Sequence, residues 1–187
     1  LSGVNTLFNG LLHTPGFDAL DFSSLKVVIG GGAAVQRAVA ERWKQVTGRY
    51  ITEAYGLTEA SPGVSASPLD TPWNGMIGLP FPSTEVTLRN EDFAALPPWT
   101  GDDDVERHTG EICVRGPQVM LGYWGKPAET AAVLRDGWLT TGDIGHMNQD
   151  GFITITDRKK DMILVSGFNV YPSEIEGVLA SHPGVLE

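Results

Sequence analysis

Apolar residues along the chain fall into two rhythms. Lys26-Val27-Val28-Ile29 is a short apolar run closed by Gly30-Gly31-Gly32, and after it Val35, Val39, Trp43 and Val46 recur at spacings of four, four and three. That recurrence is one face of a 3.6-residue helix, and Gly48 is a natural C-terminal stop. Tyr50-Ile51-Thr52 then opens a second strand. The order strand, glycine-rich turn, helix, strand predicts a parallel α/β unit. Ligands of such sheets bind beyond the carboxyl ends of the strands, where Gly30–Gly32 and Tyr55–Glu59 both fall.

From about Thr71 the rhythm changes. Prolines and glycines recur between stretches that alternate by two, Glu85-Val86-Thr87-Leu88 and Glu111-Ile112-Cys113-Val114. This predicts a smaller antiparallel β unit, with Gly137 to Asp143 as a turn and Phe152 to Thr156 as a further strand. Asp157-Arg158-Lys159-Lys160-Asp161 puts five charges in a row before Met162-Ile163-Leu164-Val165 and predicts an exposed linker. Ser173-Glu174-Ile175-Glu176 matches an S-x-x-E capping box and starts a helix. The organisation expected is an α/β subdomain over 1–72, a β-rich subdomain over 73–156, a connection at 157–160, and the start of another domain over 161–187.

Composition narrows the function classes. The 187 residues carry 13 basic and 23 acidic side chains, a net charge of −10. Nucleic acid or an anionic membrane is therefore not expected as the partner of the whole surface, although a local basic pocket is compatible with it. A single cysteine, Cys113, excludes an intramolecular disulfide and fits a reducing compartment. No apolar run is long enough to span a bilayer, and no signal peptide is visible. Without an initiator Met or a closing element, the chain reads as a piece of a longer protein.

The chemistry-bearing residues are individually ambiguous. Gly30-Gly31-Gly32, with Glu53 about 20 residues on as the ribose carboxylate, fails the dinucleotide fingerprint because Val35 stands at the third glycine position, and no Gly-Lys-Ser/Thr follows to make a Walker loop. A ligand-facing turn and a purely structural one both remain. No hydrolase elbow or zinc motif occurs, and the four histidines are scattered. In Tyr55-Gly56-Leu57-Thr58-Glu59, the Thr58 hydroxyl can donate to a phosphate, and the Glu59 carboxylate is a hard ligand for Mg²⁺. Asp143 can accept from two sugar hydroxyls, and Arg158 can neutralise a phosphate or carboxylate.

Taken in order, Gly30-Gly31-Gly32-Ala33, Tyr55–Glu59, Thr141-Gly142-Asp143 and Asp157–Lys160 with Gly167 and Glu174-Ile175-Glu176 resemble successive motifs of one superfamily. It comprises the adenylate-forming acyl-CoA synthetases, luciferases and peptide-synthetase adenylation domains. Leu1–Asn9, Gly116–Trp124 and Asp157–Glu176 further resemble bacterial long-chain fatty acid–CoA ligases. The resemblance implies the C-terminal part of a large adenylate-forming domain, a parallel α/β unit plus a small antiparallel β-barrel-like subdomain, followed by the start of an α+β lid domain. It also implies an acid–thiol ligase, in which a fatty acid reacts with ATP in the presence of Mg²⁺ and the acyl group passes to coenzyme A.

By position, the resemblance gives each residue an expected role. Gly31, Gly32, Tyr55 and Gly56 face adenine and the acyl carbonyl, Thr58 touches phosphate, and Glu59 holds the metal. Asp143 grips the ribose, Arg158 contacts the ribose-phosphate side, and Lys160 is the hinge of the lid. Ser166, Gly167 and Phe168 lie on the CoA-facing loop. The phosphate loop and the distal catalytic lysine of the family are not within these residues, so the piece alone is expected to be inactive. The location implied is cytoplasmic, with peripheral contact to the inner membrane left open. Chain-length preference and oligomeric state are also left open. The alternatives are an adenylate-former for another acid or a carrier protein, and a non-catalytic nucleotide-binding relative.

Overall fold

The computed structural model describes residues 1–165, 168–172, 175, 178 and 179. The first sheet is built from β1 (Ser2–Gly3), β2 (Ile29–Gly30), β3 (Thr52–Gly56), β4 (Gly63–Ala66) and β5 (Leu79–Pro80), side by side in that order. β1, β2 and β3 are parallel, with Ile29 opposite Thr52 and Gly30 opposite Glu53. β4 and β5 then return antiparallel.

Helices α1 (Asn5–Leu12) and α2 (Arg37–Thr47) cover the parallel strands. The helix read from Val35, Val39 and Trp43 is α2 with the turn before it, and all three residues are buried. Trp43 is wholly enclosed and meets Phe8 of α1 edge to face, with ring centroids 5.0 Å apart. Gly48 ends α2 at φ 71°, a conformation that only glycine adopts without strain. Of the predicted 26–29 strand only Ile29 pairs as a strand, together with Gly30 of the turn. Val28 still buries its side chain in the core between α1 and α2.

The second sheet comprises β6 (Glu85–Arg89), β7 (Ala95–Leu96), β8 (Gly110–Arg115), β9 (Leu134–Arg135), β10 (Trp138–Met147) and β11 (Ile153–Arg158). Its order is β11-β10-β8-β6-β7, with β9 on β10, and every pairing is antiparallel. Helix α3 (Pro127–Val133) leads into β9. Cys113 lies fully buried on β8, and burial pushes its thiol up to about 12, as expected of a packed thiol.

Two expectations need correction. Residues 137–143 are not a turn between elements: Trp138 to Asp143 belong to the ten-residue strand β10, and an irregularity in its pairing supplies the bend. Nor is 157–161 wholly an exposed linker. β11 continues through Arg158, and Asp157 is buried opposite Ile144. Ladder hydrogen bonds and one buried carboxylate outweigh the tendency of a charge run to stay in water. β12 (Ile163–Val165) and β13 (Phe168–Val170) form a hairpin beyond it. The predicted capping box at Ser173 and Glu176 lies outside the described residues.

The two sheets join edge to edge. The Ile77 N–H donates to the Ile153 carbonyl at 2.8 Å, and the Ile153 N–H donates to the Gly78 carbonyl at 3.1 Å. A shared apolar core of Ala60 and Val64 with Ile112, Leu139 and Ile153 fills the junction. This packing sets the end of β3 against the middle of β10 and opens a cleft between them.

Candidate functional site

The cleft encloses about 780 Å³. One wall is the Gly30–Ala34 turn with the end of β3, and the other is the bend in β10 with the end of β11. The first wall arises because β3 ends at Gly56, where an added Cβ would overlap the Pro62 carbonyl oxygen. The chain there crosses itself too closely for any side chain. A single turn of 3-10 helix, Thr58–Ala60, follows, with Ser61 left-handed at φ 55°.

The second wall depends on a bulge. Along the β10–β8 ladder the register passes from Thr140 opposite Cys113 to Ile144 opposite Glu111, so three residues of β10 oppose one of β8. Gly142 takes up the excess at φ 77°. The Thr141 hydroxyl fastens the bulge by donating to the Ile112 carbonyl at 2.8 Å and accepting from the Asp143 N–H at 3.1 Å. On its other edge β10 keeps Asp143 directly opposite Arg158.

Here the predicted residues meet. The Tyr55 hydroxyl donates to Asp143 Oδ2 at 2.5 Å across 88 positions of sequence. Arg158 Nε stands 3.5 Å from Asp143 Oδ1; the Asp143 side chain is 12% exposed and that of Arg158 63%. An ion pair with so exposed a partner contributes little to stability, which leaves the guanidinium able to reach a ligand. Burial first, then the neighbouring Asp143 charge and hydrogen bond, push the Tyr55 phenol far up, so it stays a neutral donor. Glu59 also lines the cleft, and its Oε1 accepts from the Tyr123 hydroxyl at 2.7 Å. That bond, more than partial burial or the carboxylate charge, raises the Tyr123 phenol.

The remaining expected residues divide. Gly32, Gly56 and Lys160 line the cleft, whereas Gly31 and Thr58 are not among its lining residues. A Cβ on Gly31 would stand 2.9 Å from the Ala54 carbonyl oxygen, so this glycine serves the close packing of β2 on β3. Thr58 opens the 3-10 turn and is exposed, while the next residue, Glu59, faces inward. Ser166 and Gly167 lie outside the described residues, and Phe168 begins β13.

Three cleft residues were missed as site residues. Tyr123 sits in the Gly116–Trp124 stretch, which drew notice only as a resemblance. Glu53 appeared only in the rejected dinucleotide reading, yet it is buried in the cleft wall, and desolvation raises its carboxyl to about 7 against the pull of the Val35 N–H. Glu111 looked like one polar position of an alternating strand, because its partners lie 31 and 48 positions away. No local signal in the sequence marks it.

The cleft combines hydrogen-bond acceptors with Arg158, Lys159 and Lys160 at one rim, a local basic edge in a chain of net charge −10. Such an arrangement suits an anionic ligand that also carries hydroxyls. Among the described residues, no three His, Cys, Asp or Glu side chains gather to hold a metal. Mg²⁺ needs only one or two protein carboxylates when phosphates and water complete its shell, and Glu59, with Oε1 already bonded to Tyr123, offers one. The donor set therefore fits a metal that arrives on a phosphate ligand. No helix among the described residues is long and apolar enough to cross a membrane.

Residues 1–124 match the family model of the AMP-binding enzymes. The long-chain-fatty-acid–CoA ligase of Yersinia pestis is 57% identical over all of this chain, and that of Bacillus subtilis 46% over 99% of it. The chain spans 32% of the length of each. Among solved structures, ATP-bound MatB of Rhodopseudomonas palustris superposes with a TM-score of 0.86 at 33% identity, covering 100% of this chain and 36% of MatB. The o-succinylbenzoate CoA synthetase MenE of Bacillus subtilis, in complex with its acyl-adenylate intermediate, gives 0.81 at 30% identity, covering 100% and 36%.

Proposed function

The chain belongs to the AMP-binding enzyme family, as a fragment of its adenylate-forming domain, and from that premise we propose that the protein is a long-chain fatty acid–CoA ligase. The observation that carries the proposal is the convergence of Tyr55, Glu59, Asp143 and Arg158, from three separate stretches of sequence, on one cleft. The relatives at 46 to 57% identity support the choice of a fatty acid and coenzyme A.

In the proposed reaction a carboxylate oxygen attacks the α-phosphorus of ATP. The carboxyl–phosphorus bond forms, the α–β phosphoanhydride bond breaks, and pyrophosphate leaves. The sulfur of coenzyme A then attacks the acyl carbon, AMP departs, and the thiol proton passes to solvent. Asp143 accepts from ribose hydroxyls, held in line by the Tyr55 hydroxyl. Arg158 swings from Asp143 to the ribose-phosphate side, offsetting charge that builds during the first step. Gly32 and Gly56 let a planar base lie against backbone, and Glu59, oriented by Tyr123, is the carboxylate for Mg²⁺, which when bound neutralises the phosphates. Thr58 is assigned to phosphate contact, which would require a ligand lying on the outer side of the 3-10 turn. Lys160, two residues past β11, is the hinge, and the Ser166–Phe168 segment faces coenzyme A. The isolated 187 residues are expected to be inactive, and the location proposed is cytoplasmic.

Fatty-acid-dependent ATP–pyrophosphate exchange by the full-length protein tests the first step, and thioester formation across acids from acetate to stearate tests the substrate. The expected result is exchange that rises with acyl length and vanishes in Glu59→Ala. Near-normal exchange in that variant would remove Glu59 as the metal carboxylate. Preference for a short or aromatic acid would favour another ligase of the family.

A further inference from the structure

We propose that Glu111 is a positioning residue for nucleotide binding. It holds the β10 bulge in the one shape that presents Asp143 to the cleft. This rests on the reading of Asp143 as the ribose acceptor.

The bulge has a weak point that its own strand cannot secure. Gly142 adopts φ 77°, and the ladder to β8 is interrupted between Thr140 and Ile144, so its N–H has no strand partner there. Glu111 supplies the missing acceptor: its Oε1 takes the Gly142 N–H at 3.0 Å. Its other oxygen, Oε2, accepts from Lys159 Nζ at 2.8 Å, while the Lys159 backbone N–H donates to the Gly142 carbonyl at 2.8 Å. One carboxylate, 15% exposed, thus closes a ring that joins β8, the bulge and the residue after Arg158. Both members of the Asp143–Arg158 pair are flanked by this ring, Asp143 next to Gly142 and Arg158 next to Lys159.

Without the carboxylate, the Gly142 N–H loses its acceptor in a partly buried place. An unmet donor in such a place favours another shape of a glycine-containing bulge. Asp143 is the next residue, so its carboxylate would turn away from the Tyr55 hydroxyl. The expected signature is a loss of nucleotide affinity and not a general loss of folding.

The test uses the full-length protein, with ATP binding by calorimetry and fatty-acid-dependent pyrophosphate exchange. Glu111→Ala is expected to raise the KM and Kd for ATP about tenfold, with kcat and the KM for fatty acid changed much less. Glu111→Gln keeps an oxygen for the Gly142 N–H and gives up the bond from Lys159, which its NH2 cannot accept, so it is expected to recover most of the ATP affinity. If Glu111→Ala does not fold, Glu111→Asp, which withdraws the oxygens by one methylene, is expected to show the same ATP-specific loss. Unchanged ATP affinity in a folded Glu111→Ala or Glu111→Asp protein would overturn the proposal, as would Glu111→Gln behaving no better than Glu111→Ala. Failure of the wild-type protein to bind ATP would instead overturn the ligase reading on which it rests.

Discussion

Replacing Glu53 by Gln should change the pH dependence of stability in a direction fixed by the structure. Glu53 lies on β3 opposite Gly30, buried in the cleft wall, and desolvation raises its carboxyl from the ordinary 4.5 to about 7. The folded protein therefore binds a proton that the unfolded chain releases as pH rises above 4.5. Stability from this site is fully present below pH 4.5, declines as pH climbs toward 7, and stays lost above that. At 1.36 kcal/mol per pH unit the displacement sets an upper value of about 3 kcal/mol. Glu53 faces an open cleft, where water screens the ionised form, and about 2 kcal/mol is the more realistic size.

Glutamine has the same shape and no charge at any pH, so Glu53→Gln should match the wild type near pH 4.5 and exceed it by about 2 kcal/mol near pH 8. Urea unfolding of both full-length proteins across this range measures the difference directly, provided the m-value is unchanged. A difference that stays constant with pH would refute the reasoning, because it would mean that Glu53 ionises as easily folded as unfolded.

Tyr55→Phe removes the hydroxyl that aims Asp143 and should raise the KM for ATP about five- to tenfold, with little change in thermal stability; equal KM values would show that Asp143 does not need it. Gly56→Ala forces a Cβ into the Pro62 carbonyl and should destabilise by on the order of 1–3 kcal/mol in urea unfolding, since the oxygen it meets belongs to backbone that cannot step aside. His108 is pinned between the Asp103 carboxylate and the Pro97 carbonyl, and its pKa is raised chiefly by the Asp103 hydrogen bond. Stability from this clasp is present below the ordinary histidine range and is lost as pH rises through the raised value. Asp103→Asn should flatten that dependence, and NMR titration of the His108 ring should show its pKa falling.

The helix α2, the glycine stop at Gly48 and the strands at Glu85 and Glu111 were legible in the sequence. Each follows from a local rule: the apolar period, the left-handed tolerance of glycine, and alternation between core and solvent. Tyr55, Glu59, Asp143 and Arg158 were legible as chemistry and by resemblance, but not as neighbours. The errors share one origin. Residues 137–143 look like a turn, and 157–161 like a linker, to any rule that weighs only nearby residues. Pairing with β8 makes 138–143 part of a strand, and pairing with β10 carries the other strand through Asp157 and Arg158, because the ladder satisfies their backbone groups.

By itself, then, the sequence determined the α/β unit, the β-rich region after it, and the set of side chains able to handle a phosphate, a hydroxyl pair and a metal. Tertiary structure alone decided which of them share a cleft. It turned Glu59 inward and left Thr58 exposed, and it gave Gly31 to packing and Gly32 to the cleft wall. It also brought in Glu53, Glu111 and Tyr123. Periodicity and propensity act over a few residues, whereas a hydrogen bond such as Tyr55 to Asp143 spans 88 positions and exists only once two sheets have closed on a common core.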